Sequence, residues 1–134
     1  MLIQQRYGTD CVIATIAMYS KKTYEEVVEV AERLKIKPLG LCQYDALRIL
    51  KEFGHHMEQC FDFHEYVPCI VSAPSLNSKG KMHSVYWDGE KVLDPQEGNP
   101  GKEFYDNELL FGGFSTTLVD MSLVNAPIEE SPTV

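Results

Sequence analysis

The pattern of apolar residues changes at Gly54, and this change is the strongest constraint on the fold of the chain. Before Gly54, three segments have the apolar spacing and the start signals of helices, among them the capping box of Thr23 and Glu26. After Gly54 the apolar runs are short and are bounded by turn residues, which is typical of strands. Helices followed by strands predict an α+β fold, with N-terminal helices packed on an antiparallel β-sheet. The predicted helices span about 11–19, 23–34 and 42–53, with a short one near 107–111, and the predicted strands span 55–61, 69–73, 82–87, 90–94 and 114–124.

The length and charge of the chain limit its domain count and its partners. A length of 134 residues suits one domain, which we expect over residues 1–124, followed by a flexible C-terminal tail at 125–134. The net charge of -8 argues against nucleic acid and anionic membranes as partners, because both require basic surface. No apolar run is long enough to span a bilayer, and the first residues do not resemble an export signal. We therefore expect a cytoplasmic protein whose four cysteines are reduced thiols.

The clearest local signal is a β-hairpin around Asp88 and Gly89. Strand-like residues flank this pair on both sides, and Asp-Gly is a preferred two-residue hairpin turn. Pairing outward from such a turn sets His83 directly opposite Asp94. Directly opposed residues point to the same face of a sheet, with their Cβ atoms about 5 Å apart. The sequence therefore predicts an imidazole beside a carboxylate, which is either a functional pair or an ordinary cross-strand polar contact.

Cys11 begins the first predicted helix and directly follows Asp10, a favourable N-cap residue. The N-terminal end of a helix favours a thiolate, because unpaired N–H groups and the positive end of the helix dipole lie there. A nucleophilic thiolate also needs a base, and the base needs a group that orients it. His83 and Asp94 fit these two roles. The alternative is a structural cysteine, since free cysteines are among the most buried residues.

The segment that begins at Gln5 and reads QRYGTDCVIATIAM resembles the start of the double-glycine leader peptidases, papain-like cysteine peptidases that process bacteriocin precursors. The resemblance continues in His83-Ser-Val-Tyr-Trp and in Val92-Leu-Asp94-Pro95, and it covers residues 4–98. It implies a papain-like peptidase fold in a stand-alone form, without the transporter that usually accompanies it. The chain departs from the family pattern at Val12, where members commonly have glycine, and in its shorter segment between the histidine and the aspartate.

The resemblance also implies a role for each matching residue. Cys11 corresponds to the nucleophile, and His83 corresponds to the general base and acid. Asp94 corresponds to the residue that orients the histidine. The side-chain amide of Gln5, six residues before the cysteine, would form the oxyanion hole together with the backbone N–H of Cys11.

These residues lead us to expect a thiol-dependent hydrolase that cleaves a peptide or amide bond of a peptide or protein substrate. The same triad would also support acyl transfer to an amine, which the sequence does not distinguish from hydrolysis. The alternative is a non-catalytic papain-like binding module, for example a phage-encoded inhibitor of a host protein. We expect neither a metal nor another cofactor, because the spacing of the nearest candidate ligands matches no compact zinc module. Those candidates are His55, His56, Cys60 and His64.

Overall fold

Three α-helices come first and confirm the three N-terminal helices that the sequence predicts. Each is ten residues long, and none of the described helices has the length and apolarity needed to cross a membrane. The computed structural model describes residues 2–7, 10–61, 66–74, 82–95 and 116–124. The helices are α1 Cys11–Ser20, α2 Tyr24–Arg33 and α3 Gln43–Glu52.

The ends of these helices follow local sequence signals. The predicted capping box is present at the start of α2, where Thr23 Oγ1 accepts the N–H of Glu26 at 3.0 Å. The Glu26 carboxylate accepts the N–H of Thr23 in return, at 2.9 Å. Gly54 follows α3 with φ +89°, a conformation that an L side chain rarely adopts. Local chemistry therefore decides where these helices start and stop.

The described strands form an antiparallel sheet in the order β1-β5-β2-β3-β4. Together with the helices, this sheet confirms the α+β class. The apolar run that begins at Cys69 lies in the central strand, as its composition predicts. The strands are β1 Glu58–Cys60, β2 Cys69–Pro74, β3 Met82–Trp87, β4 Val92–Leu93 and β5 Thr116–Val119.

The two faces of the sheet belong to different apolar clusters. Ile70 and Leu118 pack with the three helices in one cluster, whereas the neighbouring residues Val71 and Val119 belong to a second cluster. This division follows the alternation of side chains along a strand. The helical cluster is the larger one, and its fully buried members include Ile13, Ile16, Val27, Ile49 and Leu50.

Helix α1 packs directly against β3, and the two elements run in the same direction. Thr15 Oγ1 lies 3.0 Å from Ser84 Oγ, and the ring of Tyr19 contacts the ring of Tyr86 edge-to-face at 6.0 Å. Four residues of helix rise about 6 Å, and two residues of strand rise about 6.7 Å, so helix and strand advance nearly in step. Cys11 is four residues before Thr15 in the helix, so it lies beside the beginning of β3.

The hairpin register differs from the predicted register by two residues. Trp87 pairs with Val92, whereas the sequence predicts that it pairs with Glu90. If this register continues by one more residue along the two strands, Asp94 lies diagonally from His83 and not directly opposite it. Because side chains in a strand alternate with a period of two, a shift of two residues keeps both on the same face.

Asp88 causes the longer turn. Its Oδ1 accepts the backbone N–H groups of Glu90 and Lys91, each at 2.8 Å, and its own N–H donates to the Lys91 carbonyl at 3.1 Å. Gly89 has a φ of +101° within this turn. The turn therefore spans 88–91, because the Asp88 side chain stabilises a larger loop than the two-residue turn that Asp-Gly predicts.

Three predicted strands are longer than the observed ones, and the one predicted over 90–94 is limited to Val92–Leu93. The final strand ends at Val119, and Met121–Val124 forms a helical turn, α4, that the sequence pattern does not predict. Asp120 explains the change, because its Oδ1 accepts the N–H and the hydroxyl of Ser122 at 2.9 and 2.7 Å. The strand predicted over 55–61 is limited to Glu58–Cys60. Residues 114–115, the helix predicted near 107–111 and the tail at 125–134 lie outside the described residues.

We predict that Leu118→Ala lowers the free energy of unfolding by about 2–5 kcal/mol, because it leaves a cavity between the sheet and the helices. Leu118 is 1% exposed. Leu123→Ala is the matched control: this leucine is 49% exposed, and its truncation should change the free energy by no more than about 0.5 kcal/mol. Urea denaturation measures both values, and equal effects would contradict the described core.

Candidate active site

Cys11 is the first residue of α1, as the sequence predicts, and its side chain is partly exposed. The first backbone bond of the helix runs from the N–H of Ala14 to the carbonyl of Asp10, at 3.3 Å. The N–H groups of the first turn, including that of Cys11, have no acceptor within the helix. The thiol therefore lies beside backbone donors at the positive end of the helix dipole.

His83 and Asp94 form a buried polar pair. The sequence predicts this contact, although the hairpin register that it predicts is wrong by two residues. His83 Nε2 lies 2.8 Å from Asp94 Oδ1, and the two residues are 6% and 2% exposed. Cys11 lies near enough to His83 to be among the groups that raise the pKa of the imidazole. The structure thus joins the three residues in a chain of contacts that runs from the carboxylate through the imidazole to the thiol.

The surroundings of His83 favour its protonated form. Burial lowers the pKa of His83, but hydrogen bonds to Asp94 and Cys11 and the charges of both residues raise it, to a net value of about 9. The imidazole ring is therefore largely protonated at neutral pH.

Gln5 lies next to this chain of contacts and not within it. Its backbone N–H donates to the carbonyl of Pro95 at 2.8 Å, which places Gln5 beside the residue that follows Asp94. Its side-chain Nε2 donates to the carbonyl of Tyr7 at 2.6 Å, and its buried Oε1 has no hydrogen-bond partner among the described residues. Because the amide nitrogen carries two hydrogens, the bond to Tyr7 leaves one of them for another acceptor.

Asp10 occupies the N-cap position of α1, as the sequence predicts, but its side chain does not cap the helix. Its fully buried carboxylate accepts the backbone N–H of Arg6 at 2.9 Å and that of Tyr7 at 3.0 Å, and it also accepts the hydroxyl of Tyr24. The side chain makes no cap bond to the helix. These three donors hold the carboxylate toward the N-terminal segment and α2. The first-turn N–H groups beside Cys11 are consequently not occupied by this side chain.

Tyr24 is a site residue that the sequence analysis does not find. Burial and the hydrogen bond to Asp10 raise the pKa of Tyr24 well above its usual value, so its hydroxyl remains a donor. Arg6 stacks over its ring, 4.1 Å from the centroid, and forms an ion pair with Glu25. No local pattern links Asp10 with a tyrosine in the next helix, because only the packing of α2 against α1 brings them together.

The other three cysteines have different surroundings. Cys42 is exposed, and its thiol donates to Asp45 at 3.4 Å. Cys60 contacts the sulfur of Met121 at 3.7 Å. Burial, with a contribution from the charge of Cys60, raises the pKa of Cys69 to about 12. Among the described residues, Cys11 is the thiol that lies beside the His83–Asp94 pair.

In the described part of the chain, no group of three or more His, Cys, Asp or Glu side chains is arranged to hold a metal ion. His55, His56 and Cys60 fall within that part, whereas His64 lies outside it.

No protein-family model, curated protein or solved structure that we compared with the chain matches it. The interpretation of the site therefore depends on its own contacts, above all on the hydrogen bond between His83 and Asp94 and on the contact between His83 and Cys11.

We predict that His83 titrates near pH 9 in the folded protein, and that Asp94→Asn lowers its pKa by about one to three pH units. The substitution keeps the shape of the side chain but removes the negative charge that favours the protonated ring. NMR titration of the ring protons measures the change. His55 is the internal control, since burial lowers its pKa and Asp94 is not among the groups that shift it. A His83 midpoint near 6.5 in the wild type would contradict the described pair.

We further predict that Tyr24→Phe lowers the free energy of unfolding by about 1–3 kcal/mol, because the buried carboxylate of Asp10 loses a donor. Tyr44→Phe is the matched control, since Tyr44 is 71% exposed and should tolerate loss of its hydroxyl. Both values come from urea denaturation. If the two substitutions have the same effect, the Tyr24–Asp10 contact does not hold the N-terminal segment.

Proposed function

We propose that the chain is a papain-like thiol hydrolase, similar to the double-glycine leader peptidases, that cleaves a peptide or amide bond. The observation that carries this proposal is the contact chain from Asp94 through His83 to Cys11, with 2.8 Å between His83 Nε2 and Asp94 Oδ1. A nucleophile, a base and a group that orients the base are the parts that covalent catalysis by a thiol requires. Their arrangement on a helix start and a neighbouring β-hairpin supports a papain-like fold.

In the proposed first step, the Cys11 sulfur attacks the carbonyl carbon of the substrate. The new carbon–sulfur bond forms as the carbonyl π electrons move to oxygen. Because Asp94 holds Nε2 of His83, Nδ1 is the ring nitrogen that faces the thiol. The ring keeps the thiol proton, and Asp94 stabilises the resulting imidazolium.

The negative oxygen of this intermediate needs hydrogen-bond donors. We assign this role to the backbone N–H of Cys11 and to the second amide hydrogen of Gln5. The first is not occupied by the Asp10 side chain, and the second is not used by the bond to Tyr7. Each such donor lowers the barrier by about 3–4 kcal/mol in enzymes of this type.

Collapse of the intermediate breaks the carbon–nitrogen bond of the substrate. His83 transfers its proton to the departing amine, and the acyl group remains on Cys11 as a thioester. Water then attacks the thioester while His83 accepts a proton from it. The carbon–sulfur bond breaks, the acid is released, and the sulfur leaves as a thiolate beside the protonated His83, which can return the proton to it. An amine that takes the place of this water would give acyl transfer with the same residues.

We predict that iodoacetamide alkylates Cys11 at least about tenfold faster than the exposed Cys42 at pH 6. A thiol without a positively charged partner is at most about 0.3% thiolate at this pH, whereas a thiol paired with an imidazolium is largely thiolate. Peptide mass spectrometry measures the rate at each cysteine. In His83→Ala, the alkylation rate at Cys11 should fall to about that of Cys42, while the rate at Cys42 stays unchanged.

Turnover provides the second part of this test. A pool of peptides incubated with the wild type should show cleavage, and Cys11→Ala and His83→Ala should each reduce its rate by about a thousandfold or more. Tyr44→Phe, far from the contact chain in sequence and exposed, is the control that should cleave normally. If Cys42 is alkylated faster than Cys11, so that the rates only reflect the exposure of each thiol, Cys11 is not the proposed nucleophile. Full biological activity of Cys11→Ser would favour a binding module instead.

A further inference from the structure

A large pocket lies at the opposite end of α1 from Cys11. Its volume is about 1120 Å³, close to the upper range of ligand sites in proteins. Its walls come from the end of α1, the start of α2, the β3–β4 turn and the region of α4. None of Cys11, His83 or Asp94 lines it. Tyr19, one of its lining residues, is eight residues after Cys11, which corresponds to about 12 Å along the helix.

Three aromatic rings form one side of this pocket. The ring of Tyr19 meets that of His55 edge-to-face, with centroids 5.1 Å apart, and meets that of Tyr86 in the same way at 6.0 Å. All three residues line the pocket. Edge-to-face contacts fix the orientation of the rings, so an entering ligand meets aromatic surface that is already in place.

Two carboxylates, those of Asp88 and Asp120, line the same pocket as these rings. Burial and the charge of Asp120 raise the pKa of Tyr19 to about 12, and burial and the charge of Asp88 raise the pKa of Tyr86. Within the described part of the chain, each carboxylate accepts hydrogen bonds through one oxygen. Asp88 Oδ1 accepts two backbone N–H groups of its turn, and Asp120 Oδ1 accepts the N–H and the hydroxyl of Ser122.

The cations around the pocket do not neutralise these two carboxylates by direct contact. Arg6 pairs with Glu25, and Lys22 lies 5.7 Å from the ring centroid of Phe53. Lys21 also lines the pocket. In the described part of the chain, no lysine or arginine forms an ion pair with Asp88 or Asp120. Two acidic residues therefore line the pocket together with the aromatic rings.

We propose that this pocket binds an organic ammonium group, with the cation beside the tyrosine rings and the carboxylates of Asp88 and Asp120. Aromatic faces attract cations through their quadrupole, and a carboxylate beside the rings adds direct charge attraction. The net charge of -8 favours the approach of a cationic ligand. This binding site goes beyond the proposed hydrolase activity and does not depend on it.

The test compares benzylamine, which is charged at pH 7, with benzyl alcohol, which has the same ring and no charge. NMR titration should show saturating shifts of the Tyr19, Tyr86 and His55 ring protons with benzylamine, with a Kd on the order of 1 mM. Benzyl alcohol should bind about tenfold more weakly. Equal shifts from the two probes, or no saturating shift with benzylamine, would overturn the proposal.

The variant Asp88→Asn/Asp120→Asn tests the two carboxylates without removing the local structure. Asparagine serves in turns and as an N-cap as well as aspartate does, so the β3–β4 turn and α4 should remain. The Kd for benzylamine should rise about tenfold or more. Glu29→Gln removes an exposed charge from α2 outside the pocket and should leave the Kd unchanged. Unaltered affinity in the double variant would refute the assignment.

A Cys11→Ala variant separates this proposal from the proposed function. Benzylamine should bind it with the wild-type Kd, because Cys11 does not line the pocket. Loss of binding in this variant would instead show that the ammonium site depends on the thiol site.

Discussion

The packing of α1 against β3 is the contact on which the other features of the structure depend. Ile13, Ile16 and Ala17 are fully buried, so α1 is enclosed by the rest of the domain and is not a surface helix. Thr15 adds a buried hydroxyl contact with Ser84, which satisfies two polar groups inside an apolar interface. Because helix and strand advance nearly in step, this one interface sets the positions of side chains at both of its ends.

At one end of this interface, the N-terminal segment is held by two separate contacts. Asp10 fixes the residues before α1 through three donors, and the backbone N–H of Gln5 bonds to Pro95 beyond the hairpin. The segment therefore joins the start of α1 to the end of β4. A buried carboxylate that is fully hydrogen-bonded gives a fixed geometry, and this geometry keeps Gln5 beside the residue that follows Asp94.

At the other end of the interface, the rings of Tyr19 and Tyr86 contact each other and line a pocket that is also lined by acidic residues. At the first end a cationic imidazole faces a thiol, and at the second end anionic groups face open space. The two ends of α1 thus lie about 12 Å apart, in one environment with a cationic group and in another with anionic groups. At this distance the charges at one end have little effect on the side chains at the other end.

The sequence by itself determined the helices, the capping box of Thr23, the central position of the Cys69 strand and the pairing of His83 with Asp94. These features depend on local spacing, and the alternation of strand residues tolerates a register error of two. The turn at Asp88 depends on bonds that its side chain accepts from the backbone of Glu90 and Lys91, and these local bonds compete with the two-residue turn that Asp-Gly favours. Tertiary packing alone set the contact between Asp10 and Tyr24, because burial of these polar groups against a distant element decided which hydrogen bonds they form.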